Sequence, residues 1–89
     1  MNKPRVFADF HNADAQGRLR LNCIGTVEDL ARQQIALRER QWLTFYSEDL
    51  EVEGQVEYSP EENVWVALVD WAAIRRQEYL VAQAEHLAR

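Results

Sequence analysis

Leu50–Glu51–Val52–Glu53–Gly54–Gln55–Val56–Glu57–Tyr58 is the stretch from which the fold is read. Leu50, Val52, Val56 and Tyr58 fall on one side with Gly54, while Glu51, Glu53, Gln55 and Glu57 fall on the other. Side chains of an extended chain point alternately to opposite faces, so this pattern predicts a strand with one dry and one wet face. Gly54 interrupts the dry face, and a glycine inside a strand predicts a bulge or a bend.

Downstream, Ser59–Pro60–Glu61–Glu62–Asn63 has turn chemistry and leads into Val64–Asp70 (VWVALVD), apolar on both faces and therefore expected to be covered on both. From Trp71 onward the period changes to three and four residues. Ala73, Ile74, Leu80, Val81, Ala84 and Leu87 recur at helical spacing behind Asp70, which suits an N-cap. An amphipathic helix over 71–88 is expected. At 1.5 Å per residue it is about 27 Å long, more than a small sheet can cover.

Upstream, Trp42–Tyr46 (WLTFY) reads as a strand from its β-branched and aromatic content. Two earlier alternating segments, 5–11 and 18–24, flank Asn12–Gly17 (NADAQG) and predict a hairpin. Val6, Ala8, Phe10, Leu19, Leu21 and Cys23 take the inward positions. Between them and Trp42, Thr26 followed by Asp29 resembles a capping box, predicting a helix over 27–34. The expected fold is α+β and mostly β: one domain over 1–89 with strands at 5–11, 18–24, 42–46, 50–58 and 64–70. A small, curved, five-stranded antiparallel sheet or SH3-like partial barrel fits first, and an open antiparallel sheet with helices on one face second.

Composition bounds the function. With 47% hydrophobic residues the chain can build a core. A single cysteine, Cys23, allows neither an internal disulfide nor a cysteine-based zinc site. The polar start Met1–Asn2–Lys3–Pro4 and the lack of a long apolar run lead us to expect a cytoplasmic chain with no membrane span. The net charge of −5 argues against nucleic acid, for which only Lys3, Arg5, Arg18, Arg20, Arg32, Arg38 and Arg40 speak. No Lys or Arg occurs from 41 to 74, an interval holding eight acids.

Four sets of residues are candidates for function. Asp9, His11, Asn12 and Asp14 offer oxygen and imidazole groups at a strand end that could hold a metal or a polar ligand, although Asn and Asp also simply build turns. Trp65 and Trp71 could line an aromatic groove, although aromatic residues of a small domain are mostly core. Glu51, Glu53 and Glu57 form an acidic sheet face that could meet a basic protein, although such faces also serve solubility. Leu80, Val81, Ala84 and Leu87 form the outer part of the overlong helix, where an exposed stripe invites a second copy of the chain. A pairing of Cys23 with His11 would be the raw material of an activated thiolate. Cys23 shares its parity with Leu19 and Leu21, however, and no catalytic motif accompanies it. No metal or cofactor is implied. The sequence favours a non-enzymatic interaction module acting as a homodimer, ahead of a small-molecule or metal-binding protein and of an enzyme built on Cys23 and His11.

Overall fold

A computed structural model describes residues 4–76. In chain order the elements are β1 (Arg5–Phe7), β2 (Leu19–Arg20), α1 (Ile24–Gln33), β3 (Trp42–Ser47), β4 (Leu50–Ser59), β5 (Val64–Val69) and β6 (Arg75–Arg76), with a 3-10 turn at Trp71–Ala73 before β6. The protein is mostly β with one helix, and the strands form one mixed sheet in the order β1-β3-β4-β5-β2, with β6 beside β4. Its ends, β1 and β2, do not pair with each other, so the sheet stays open and the SH3-like closure expected from the sequence is not found.

Strand β4 is the axis, as its alternation predicts. Val52, Gly54 and Val56 are buried while Glu53 is exposed. Its first half pairs with β3, from Ser47 opposite Leu50 to Trp42 opposite Gln55. Its second half pairs with β5, from Gly54 opposite Val69 to Ser59 opposite Val64. The inner face carries the core: Val6, Ala8, Leu19, Leu21, Leu43, Phe45, Val52, Val56 and Ala67. Phe10, Leu30, Ile35, Leu37 and Ile74 pack against it from helix and loops.

Gly54 is not a bulge. It holds regular register with Leu43 on one side and Val69 on the other. A Cβ there would lie 2.8 Å from Val69 Cγ1 and 3.1 Å from both Phe45 Cε2 and the Leu68 carbonyl oxygen. The glycine is what lets the Phe45 ring lie across the strand. The irregularity sits in the neighbouring chain instead: five residues lie between Val69 and Arg75, where β4 has only two between Gly54 and Glu51. The surplus loops out as the 3-10 turn.

That turn corrects the helix expected over 71–88. Asp70 does cap, its Oδ1 accepting from the Ala72 N–H at 3.0 Å, but the turn ends at Ala73 and Ile74 is extended. Two forces that the local pattern does not show extend the chain here. Arg75 and Arg76 gain a ladder with Glu51 and Leu50, and their guanidinium groups meet Glu51 at 3.0 Å and Asp49 at 3.4 Å. The remainder of that helix, with Leu80, Val81, Ala84 and Leu87, lies outside the described residues.

The expected hairpin of 5–11 with 18–24 is also replaced. Residues Asp14 and Arg18 close a tight loop, and Ala13 bridges Leu19. β1, however, runs parallel to β3, and β2 runs antiparallel to β5 at the far side of the sheet. A parallel pair requires a crossover, and α1 lies within it. This helix begins at Ile24, earlier than expected, with Cys23 as N-cap and no side-chain cap. Thr26 and Asp29 form no capping box. They turn to β1: the Thr26 hydroxyl donates to the Phe7 carbonyl at 2.7 Å, and Asp29 Oδ2 accepts from the Phe7 N–H at 2.8 Å. Gln33 Nε2 donates to the Arg5 carbonyl at 2.6 Å. The outward backbone groups of an edge strand would otherwise invite another strand; here helix side chains satisfy them. α1 ends at Gln34 in the left-handed conformation, with the Ile35 N–H closing back on Leu30, a Schellman-type stop near the expected place.

Candidate functional site

Of the polar residues predicted near the first loop, Asp9, Asn12 and Asp14 spend hydrogen-bonding capacity on the loop and its neighbours. Asp9 Oδ1 accepts from the His11 N–H at 2.9 Å, and the Asp9 carbonyl accepts from the Asn12 N–H. Asp14 accepts at Oδ1 from the N–H groups of Gln16 and Arg18, and at Oδ2 from Arg18 Nε at 2.8 Å. Asn12 donates to Asn22 and accepts from Arg20, while His11 is exposed. Among the described residues no group of three or more His, Cys, Asp or Glu side chains could hold a metal ion.

Burial opposes ionisation of Asp14, but the bonds from the Arg18 backbone, the Arg18 guanidinium and the Gln16 N–H outweigh it and hold the carboxyl below its ordinary value. A carboxyl depressed in the folded state contributes stability above its unfolded value of about 3.9, and that contribution disappears as pH falls through the folded value. Asp14→Asn is therefore expected to lower the urea midpoint at about pH 7 and to match the native chain more closely as the solution is acidified well below about pH 4. A gap that stays constant with pH would show that the charge of Asp14 does not matter.

One feature here was not legible in the sequence. Ser59, Glu61 and Glu62, from the turn after β4, join Asp14, Gln16 and Arg18 around an open depression of about 150 Å³. Glu62 is held there by a two-pronged pair with Arg20, at 2.7 and 3.0 Å. That hydrogen bond lowers the Glu62 carboxyl and raises the Arg20 guanidinium. The only hint in the sequence is the opposite charge of two segments forty-two residues apart.

The tryptophans do not form one groove. Trp65 packs edge-on to Tyr58 across the β4–β5 ladder, centroids 5.1 Å apart. Trp71 sits on the loop-out, beyond the other end of β5. It packs edge-on to Phe10 at 6.2 Å and donates from Nε1 to the Gly17 carbonyl at 2.8 Å. It thus pins the first loop to the sheet. Cys23 has its Sγ 3.0 Å from the Thr26 hydroxyl, which is itself committed to Phe7.

The acidic face is balanced in space although it is unbalanced in sequence. Glu51 meets Arg75 at 3.0 Å and Arg5 at 3.7 Å, and Glu57 meets Arg18 at 3.7 Å. Arg5 also lies over the Tyr46 ring, 4.5 Å from its centroid. Every one of these bases comes from outside the interval 41–74, because the strands that flank β3, β4 and β5 belong to the rest of the chain. Glu53 is exposed on the same face.

This face also exposes large apolar side chains. Trp42 on β3 faces Gln55 on β4, and Gln55 faces Leu68 on β5. Paired residues share a face, so the three form one row on the outer side. Trp42 is 52% and Leu68 44% exposed. The double-sided hydrophobicity of Val64–Asp70 led us to expect cover over Leu68. Within the same strand Val66 is fully buried, whereas Leu68 is not. Helix α1 adds Ile24 and Val27, 76% and 52% exposed, so only part of its apolar stripe, notably Leu30, reaches the core. No helix among the described residues is long and apolar enough to cross a membrane.

Comparison of the chain with protein-family models, with curated proteins and with solved structures returns no match.

Proposed function

We propose that the protein is a non-enzymatic interaction module that works as a homodimer. The observation that carries this reading is the row Trp42–Gln55–Leu68, whose two large apolar ends are about half exposed on the outer sheet face. Exposed apolar patches mark interaction sites, and tryptophan is enriched among the residues that dominate binding energy. Strand addition is a poor alternative route, because the outward groups of β1 are occupied by α1 and those of β2 by residues Asn12–Asp14. In the sequence, Leu80, Val81, Ala84 and Leu87 recur at helical spacing, a pattern that suits a second apolar surface. Two copies satisfy such surfaces most simply, since a twofold axis lets each be used twice.

An acidic docking face for a basic partner has less support, given that Glu51 and Glu57 already face arginines. Sedimentation of the full chain over a range of concentrations tests the homodimer. The native chain is expected to sediment as a dimer and Leu80→Glu/Leu87→Glu as a monomer. If both sediment as monomers and melt alike, the reading is wrong.

A further inference from the structure

We infer that Ile74–Arg75–Arg76 is a strap, fastened to the central strand by charge, that opens without the rest of the sheet and uncovers an edge of β4. This goes beyond the homodimer reading and does not depend on it.

The chain is firmly tied just before the strap. Trp71 donates from its indole Nε1 to the Gly17 carbonyl at 2.8 Å and packs on Phe10, which anchors this position to the first loop. The 3-10 turn then closes on Asp70, with the Ala72 N–H on Oδ1 and the Ala73 N–H on the carbonyl oxygen. Extended backbone begins at Ile74. By this point the chain has left β5, whose pairing with β4 ends at Val69 opposite Gly54. A swing at the junction of Ala73 and Ile74 therefore moves β6 while β5, the turn and the first loop stay in place.

Beyond that junction the fastening is short in backbone and rich in charge. β6 pairs with β4 over two residues, whereas β3 and β5 each pair with it over six. Ile74 packs against the core. Arg75 meets Glu51 at 3.0 Å and Arg76 meets Asp49 at 3.4 Å, with the two arginine side chains 53% and 64% exposed. Ion pairs open to water are weak one by one and are screened by salt. Regions held in this way open locally while the core stays closed. Glu51 is also drawn by Arg5 of β1, at 3.7 Å from across β3, which keeps its carboxylate in position for the strap to return. When β6 lifts, Leu50 and Glu51 lose their neighbour, and an unpaired strand edge is a surface that accepts another strand.

Hydrogen exchange of the full chain, followed residue by residue, tests the strap. The reference is the Val56 amide, bonded to the Gln41 carbonyl at 2.8 Å in the core of the sheet. Amides of the β6–β4 ladder are expected to exchange while Val56 stays protected. In Asp49→Asn/Glu51→Gln they should exchange roughly two- to thirtyfold faster, as the loss of two exposed ion pairs implies. Salt at about 1 M, where the screening length falls to about 3 Å, should accelerate the native chain in the same way and the variant much less. If that variant melts early, Arg75→Gln/Arg76→Gln replaces it, because it leaves the pair of Arg5 with Glu51 intact. Ladder amides that exchange no faster than Val56 would show that β6 does not open alone. Exchange that ignores both salt and the substitutions would overturn the role of charge, and equal acceleration at Val56 would mean that these pairs hold the whole sheet and not a strap.

Discussion

Phe45→Ala is expected to remove roughly 3–5 kcal/mol of stability, the cost of emptying a fully buried aromatic site. Phe45 is the largest wholly buried side chain among the described residues, and its ring lies over Gly54, where a Cβ would come within 3.1 Å of Cε2. The space it leaves cannot be refilled from β4, because the nearest residue there has no side chain, and regular pairing on both sides prevents the strand from sinking. A domain of this size holds only about 5–15 kcal/mol in total, so the variant should be partly unfolded near body temperature. Urea unfolding followed by tryptophan fluorescence measures the change. A loss below about 1 kcal/mol would mean that the ring is not the keystone the geometry makes it.

Asp29→Ala is expected to cost about 2–3 kcal/mol through a different route. No cavity of consequence forms. Instead, the Phe7 N–H loses its acceptor at the edge of the sheet, and both Tyr46 Oη, 3.4 Å from Asp29 Oδ2, and the Arg32 guanidinium lose a partner. A half-satisfied buried donor costs more than its bond ever contributed, and this asymmetry sets the size of the effect. Thermal melting should fall by roughly 10–20 °C, at 4–8 °C per kcal/mol for a domain of this length. Hydrogen exchange should locate the damage at the Phe7 amide. A drop in melting without faster exchange at Phe7 would place the role of Asp29 elsewhere.

These two residues also mark what could and could not be read ahead of the structure. Alternation is a local signal. It identified the wet and dry faces of β4 and the inward side of Val6, Ala8, Leu19 and Leu21 correctly, since each depends only on side-chain parity. The partner of β1 is a non-local outcome. Sequence proximity favoured a hairpin with 18–24, yet the three side chains of α1 that satisfy Arg5 and Phe7 act only when β1 lies beside β3. Thr26 and Asp29 illustrate the ambiguity, because the same two residues at the same spacing serve equally as a helix cap or as a hand reaching to another element. At Trp71–Arg76 the helical period was genuine as a pattern, but a ladder with Leu50 and Glu51 prevailed over it. The charge layout misled for a similar reason: counting along the chain separated acids from bases that the sheet interleaves. The exposed pair Trp42 and Leu68 could not be seen as a pair until register placed Gln55 between them.

The order of strands has a consequence for how the molecule assembles in time. β3, β4 and β5 follow one another through two short turns, so their pairing closes only small loops. β1 must wait for a partner some forty residues later, and β2 for one more distant still. Loop-closure entropy rises with that separation, which makes the central meander the natural nucleus and the two flanking strands its late additions. On a chain emerging from the ribosome, Val6 and Ala8 therefore wait for the sheet they complete until β3 has been synthesised.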